Sequence, residues 1–254
     1  TRPDIVVNCA AFVRVDDCED QTEQAFGVNA LGALHVARAC AERDAACVYV
    51  STDYVFDGYK PSAYTESDPA LPVNVYGASK LSGELLVRQA ARRWLIIRSA
   101  SLFGRTGARA KSGNFVEAIL AKAKAGQALR VVNDIRMSPT YSRDAAEALA
   151  ALIDAEADGI VHVTNDGACT WYEFAQQALE LAADATSIVP VSGNQYPTRA
   201  RRPQNSALRS ERGLVKLRSW RDALEAYLIE KGYRSERLKN PADRSFGVRS
   251  DQES

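Results

Sequence analysis

What this chain lacks narrows it before any motif is read. Across 254 residues, Lys plus Arg (32) equals Asp plus Glu (32), so the formal charge is zero. No global field draws it to nucleic acid or to an anionic membrane surface. No apolar run approaches the ~18 residues of a membrane span, and no signal-peptide pattern opens the sequence. The five cysteines (Cys9, Cys18, Cys40, Cys47, Cys169) are odd in number and scattered, without C-x-x-C spacing. That argues against a disulfide scaffold and fits free thiols in a reducing, cytoplasmic setting. Cys9, Cys40 and Cys47 sit in apolar runs and are expected in the core. His35 and His162 stand apart from each other and from any carboxylate cluster, so neither histidine chemistry nor a metal site is expected. His162 alternates within "IVHVTN" and reads as strand.

What is present is 46% apolar residues, ample for a core in one large domain or two small ones. Residues 4–11 ("DIVVNCAA") read as a parallel strand buried on both faces. Residues 21–43 carry apolar side chains at helical spacing, and 46–56 form a second buried strand. A helix over 75–93 and a third strand over 94–103 follow. This alternation, with ~20-residue crossovers, predicts an α/β fold with a doubly wound parallel sheet. In such sheets ligands sit beyond the carboxyl ends of the strands. Those ends, "NCAAF", "STDYVF" and "RSASLFG", collect small and polar residues. Further on, helices are predicted over 113–126, 142–155 (with Ser142 as N-cap), 170–183 (with a Thr170–Glu173 capping box) and 219–232. Strands are predicted over 129–133 and 159–165. Residues 235–254 are charged and poor in apolar side chains, and are expected to be disordered. One feature of nucleotide-binding α/β sheets is missing: no G-x-x-G-x-x-G turn occurs anywhere. The sequence is therefore expected to begin partway into the sheet, without its first strand-helix-strand unit.

In "PVNVYGASKLSGE" (72–84), Tyr76 and Lys80 stand at i and i+4 and share a helix face. An ammonium beside a phenol favours its anion and lowers its pKa, which suits proton exchange with a carbonyl or alcohol oxygen. Y-x-x-x-K alone is a weak signal. It gains weight from "VSTDYVFDG" (50–58), whose Ser51, Thr52 and Asp53 offer hydroxyl and carboxyl groups at a strand end. Thr52 and Tyr76 are expected on neighbouring strand ends. The arginines of "RARR" (199–202) form a local patch, read either as a solvated loop or as a contact for a phosphorylated ligand.

Taken together, S-T-D-Y-V-F-D-G, N-V-Y-G-x-S-K and R-P-x-N-S resemble the dTDP-4-dehydrorhamnose reductase family of the extended short-chain dehydrogenase/reductase superfamily, along roughly residues 2–230. The resemblance implies a Rossmann-like cofactor domain (1–104 and 140–166) and a smaller α/β substrate-binding lobe (105–139 and 167–234). It implies NADPH or NADH as cofactor and a nucleotide-sugar as substrate, with a homodimer possible. Residue by residue, it implies Tyr76 as proton donor, Lys80 as cofactor anchor and tuner of Tyr76, and Thr52 as stabiliser of the developing oxyanion. Ala10, Ala11 and Phe12 would line the cofactor, with Val50 and Ser51 nearby. Asp53 would contact the sugar, and Arg201 or Arg202 the diphosphate. Two departures bear on sugar identity: Ser101 replaces the family's pocket tryptophan, and "NDIRMSPT" replaces a glycine-containing segment. Alternatives are a non-catalytic subunit like the regulatory subunit of methionine adenosyltransferase, and an epimerase or dehydratase of the same superfamily.

Overall fold

A computed structural model describes residues 2–106 and 113–233. In chain order the elements begin with β1 (Ile5–Asn8), α1 (Val15–Asp20), α2 (Thr22–Phe26), α3 (Gly32–Glu42) and β2 (Ala46–Thr52). Next come α4 (Val75–Ala90), β3 (Trp94–Ser99), β4 (Leu102–Phe103), α5 (Phe115–Lys124), β5 (Leu129–Val132), β6 (Arg136–Met137) and β7 (Thr140–Tyr141). The chain continues with α6 (Ser142–Asp154), β8 (Gly159–His162), β9 (Cys169–Thr170), α7 (Trp171–Leu181), β10 (Ile188–Val191) and α8 (Trp220–Glu230).

The central sheet is parallel throughout, in the order β1-β2-β3-β8. Alternation along β2 sends Cys47 and Tyr49 to one face, where Ala33, Ala37 and Val87 of α3 and α4 cover them. Val48 faces the other way, with Leu95, Ile97 and Val161, under Ala148 and Leu152 of α6. Helices on both faces make the sheet doubly wound, as expected. A separate apolar mass joins α5, α7 and α8 around Phe103, Phe174, Trp220 and Tyr227. There β5 pairs with β10, and the expected Thr170–Glu173 capping box opens α7.

Several expectations are corrected. Among the described residues β1 pairs with β2 alone, and Ile5 and Val7 are 37% and 39% exposed. Cys9, just past its end, is exposed rather than packed, while Cys40 and Cys47 are buried. The helix expected over 21–43 is present over 22–42 and winds through it without interruption, but its middle, Gly27–Leu31, is a π segment between α2 and α3. The third strand stops at Ser99, because Ser101 takes φ 43° and turns the chain. Ser142 is the first residue of α6 rather than its cap, and the preceding Tyr141 supplies no side-chain cap. The tail expected over 235–254 lies outside the described residues. Among the described residues, no helix is long and apolar enough to cross a membrane, and no group of three or more His, Cys, Asp or Glu is placed to hold a metal.

Candidate active site

β2 ends at Thr52, where the chain leaves the sheet through a 3-10 turn over Asp53–Val55. The Thr52 hydroxyl donates to Asp53 Oδ1 at 3.0 Å and accepts from the Tyr54 amide at 3.2 Å. Asp53 is buried, and its Oδ2 has no hydrogen-bond partner among the described residues. Burial pushes its carboxyl up to about 6, against the opposing hydroxyls of Ser206 and Thr52.

Tyr76 is the second residue of α4, not part of a strand end. Two side chains hold the start of this helix: Asn74 Oδ1 accepts from the Gly77 amide at 2.8 Å, and Glu19 Oε1 accepts from the Val75 amide at 2.9 Å. Gly77 lets α4 seat against the turn after β2, since a Cβ there would lie 2.0 Å from the Tyr54 carbonyl oxygen. That close approach brings Tyr76 to Thr52 and sets its ring edge-on to Tyr54, with centroids 5.9 Å apart. Burial raises the Tyr76 phenol above its usual range, with the Thr52 hydroxyl pulling the other way.

Lys80 lies one turn further, and it is buried. Its Nζ donates to the Val50 carbonyl at 2.6 Å and sits 4.0 Å from the centre of the Tyr49 ring. Loss of hydration lowers its ammonium to about 7, partly offset by Glu84 and Cys9. The expected lowering of Tyr76 by Lys80 is thus corrected. The ammonium is directed at a carbonyl and a ring face, and the phenol is shifted upward by its own burial.

The other expected residues divide. Ala10 is exposed and Ala11 and Phe12 are half-buried, forming a wall at the carboxyl end of β1. Val50 faces Lys80 through its carbonyl. Ser51 turns inward, donating to Glu84 Oε1 at 2.5 Å, and Glu84 also holds Arg98 through contacts of 3.0 and 2.7 Å. Ser101 is half-exposed, and its carbonyl accepts from the Thr140 amide.

A cavity of about 870 Å³ opens beside this centre, between the turn after β2 and the second apolar mass. Its walls include Tyr54, Tyr59, Phe115, Trp171, Arg201 and Arg202; Thr52, Asp53, Tyr76 and Lys80 lie behind Tyr54 rather than in the wall, and Ser101 is not in it either. Gly58, at φ +85°, closes one corner, where a Cβ would come within 2.6 Å of Pro203 and 2.7 Å of the Gln204 amide. S-T-D-Y-V-F-D-G and R-P-x-N-S therefore pack directly on each other, with Asn205 Nδ2 donating to the Lys60 and Ser62 carbonyls.

Asn29, in the π turn, was not anticipated. It is fully buried; Oδ1 accepts from the Phe12 amide at 2.8 Å, while Nδ2 donates to the Phe12 carbonyl at 3.1 Å and to Ser79 Oγ at 2.9 Å. Ser79 in turn donates to the Tyr76 carbonyl. Asn29 thus joins the β1 wall to the helix that carries Tyr76. An asparagine inside the apolar run "FGVNALGA" was the available signal.

Comparison with known proteins bears on this arrangement. The RmlD substrate binding domain model matches residues 1–232. The chain belongs to this family. It is 42% identical over 234 residues to the spore coat polysaccharide biosynthesis protein SpsK of Bacillus subtilis, covering 91% of this chain and 80% of that one. It is 41% identical over 236 residues to dTDP-4-dehydrorhamnose reductase of Mycobacterium tuberculosis, covering 89% and 76%. Among solved structures, dTDP-4-dehydrorhamnose reductase from Bacillus anthracis in complex with NADP superposes with a TM-score of 0.86 at 36% identity, covering 90% of this chain and 81% of that one. UDP-glucose 4-epimerase of Thermotoga maritima shares the fold at 16% identity and a TM-score of 0.76. The α/β fold of this family member is the Rossmann-like fold of the extended short-chain dehydrogenase/reductases.

Proposed function

We propose that this chain is an NAD(P)H-dependent oxidoreductase that reduces the 4-keto group of a nucleotide-linked deoxysugar, converting dTDP-4-dehydrorhamnose to dTDP-L-rhamnose. The observation that carries this reading is the convergence of Thr52, Tyr76 and Lys80 at the carboxyl end of β2, beside a cavity with Arg130, Arg201 and Arg202 in its wall. The names of its relatives agree. They favour catalysis over the regulatory-subunit alternative.

The residues present suit the nicotinamide end of the cofactor. Ala10 is exposed and small, Phe12 is fixed through its backbone by Asn29, and Lys80 reaches from α4 to the adjoining end of β2. Ala10, Ala11 and Phe12 would line that group, Lys80 would hold its ribose, and Val50 and Ser51 would support Lys80 and the strand end. When bound, the cofactor supplies the hydride.

The rest is the work of this chain. Tyr76, raised by burial, keeps its proton at neutral pH and has it available for the ketone oxygen. The Thr52 hydroxyl would donate to the same oxygen as negative charge develops there. Asp53 would meet the sugar and Arg202 would face the diphosphate, while Ser101, outside the cavity wall, is not assigned a contact with either. The division into a cofactor domain (1–104 and 140–166) and a substrate lobe (105–139 and 167–234) belongs to the same proposal.

The test follows the fall in NADPH or NADH absorbance with dTDP-4-dehydrorhamnose. Turnover is expected, reduced about 10²- to 10⁴-fold by Tyr76→Phe with the fold intact. A wild-type chain that binds dinucleotide and sugar without turnover would return the regulatory reading to first place. Undiminished turnover in Tyr76→Phe would remove the proton donor.

A further inference from the structure

α1 carries more organised charge than a surface turn requires. Asp16 Oδ2 accepts from Arg202 Nη2 at 2.8 Å, and its Oδ1 accepts from the Ala200 amide at 3.0 Å. Asp20 pairs with Arg199. Glu19, on the same short helix, accepts from the amide just before Tyr76. α1 therefore touches both the arginine segment and the catalytic helix. Arg202 lines the cavity, stands 6.0 Å from the centre of the Tyr54 ring, and has Nη1 without a partner among the described residues.

We propose that Asp16 is a positioning residue for Arg202. It clamps one edge of the guanidinium and, through Ala200, the backbone that carries it, so that a nucleoside diphosphate meets an arginine already in place. This rests on reading the cavity as a nucleotide-sugar site and adds a residue outside the cavity wall to it. The opposite effect, a carboxylate repelling the phosphates, is the weaker one. Asp16 is 40% exposed, so solvent screens its charge, whereas an untethered arginine must give up extensive rotamer freedom on binding. The ion pair is also too exposed to matter much for folding, so its removal separates positioning from stability.

Isothermal titration of the full chain with dTDP tests this. Asp16→Asn keeps an acceptor for the Ala200 amide and removes the charge. It should weaken dTDP binding roughly tenfold, with Tm within about 4 °C of wild type. KM for the nucleotide-sugar should rise while kcat stays within about twofold. In an Arg202→Ala background, Asp16→Asn should add nothing, because its effect passes through the missing guanidinium. Unchanged or tighter dTDP binding by Asp16→Asn overturns the assignment, as does an equal loss in the Arg202→Ala background. A wild-type chain that fails to bind dTDP overturns the nucleotide-sugar reading of the cavity, and this inference with it.

Discussion

Asp53 is folded into a place its charge does not favour. The native chain holds its proton up to about pH 6, whereas an ordinary carboxyl releases it near 3.8. Between those values the folded state binds more protons than the unfolded one, so this residue's contribution falls as pH rises from about 4 to about 6 and stays lost above. Asp53→Asn removes the buried charge and should stabilise the ligand-free chain at pH 7 by on the order of 2–3 kcal/mol. It should also flatten the stability profile across that window, while lowering turnover. Thermal melts at pH 4, 5, 6 and 7, run beside the absorbance assay, check both halves; equal melting at pH 7 would refute the first. At this scale the sequence was informative about Thr52, Tyr76 and Lys80, because a strand end and an i, i+4 pair fix their neighbourhood. It misjudged which way Lys80 leans, setting it beside the Tyr76 phenol, since Tyr49 and Val50 become its partners only once β2 lies under α4. Asp16 and Arg202 are 186 positions apart, and no local pattern joins them.

At the scale of elements, the seating of α4 decides the site. Gly77 meets the Tyr54 carbonyl, and Gly83 meets the Asn29 carbonyl, where a Cβ would lie 2.3 Å away. Between these contacts, Asn29 ties the π turn to Phe12 and Ser79. Asn29→Ala strips partners from a buried amide, a carbonyl and a hydroxyl. Because the Phe12 carbonyl keeps Cys18 and Ser79 still donates to the Tyr76 carbonyl, only the Phe12 amide is left unpaired; the change should destabilise the chain by roughly 1–3 kcal/mol, and cut turnover in the fraction that still folds. Chemical denaturation gives the first number; a loss under ~1 kcal/mol would mean the network is not holding the helix. Apolar periodicity revealed α3 and α4 but not the π turn, because five residues of wider winding leave the apolar face nearly continuous. α1 was hidden for a different reason: it is six residues long and largely acidic, so it has no apolar stripe to read. The capping box of α7 was legible because its chemistry is confined to four consecutive residues.

For the molecule as a whole, the parallel sheet of the described residues runs from β8 through β3 and β2 to β1, with helices on both faces. The alternation of apolar runs and helical stretches made this layering legible, because each run needs a covering helix on either side. The pairing of the S-T-D-Y-V-F-D-G turn with R-P-x-N-S was not legible, because these segments are far apart in sequence and meet only in the folded chain.

Past β1, Cys9 is exposed while Cys18, Cys40, Cys47 and Cys169 are buried. Maleimide dyes thus have one preferred point of attachment, beside the wall of Ala10 and Ala11. On the proposal that this wall lines the dinucleotide, a fluorophore placed there should change its emission on binding, an optical titration of dinucleotide affinity that needs no sugar and no engineered cysteine.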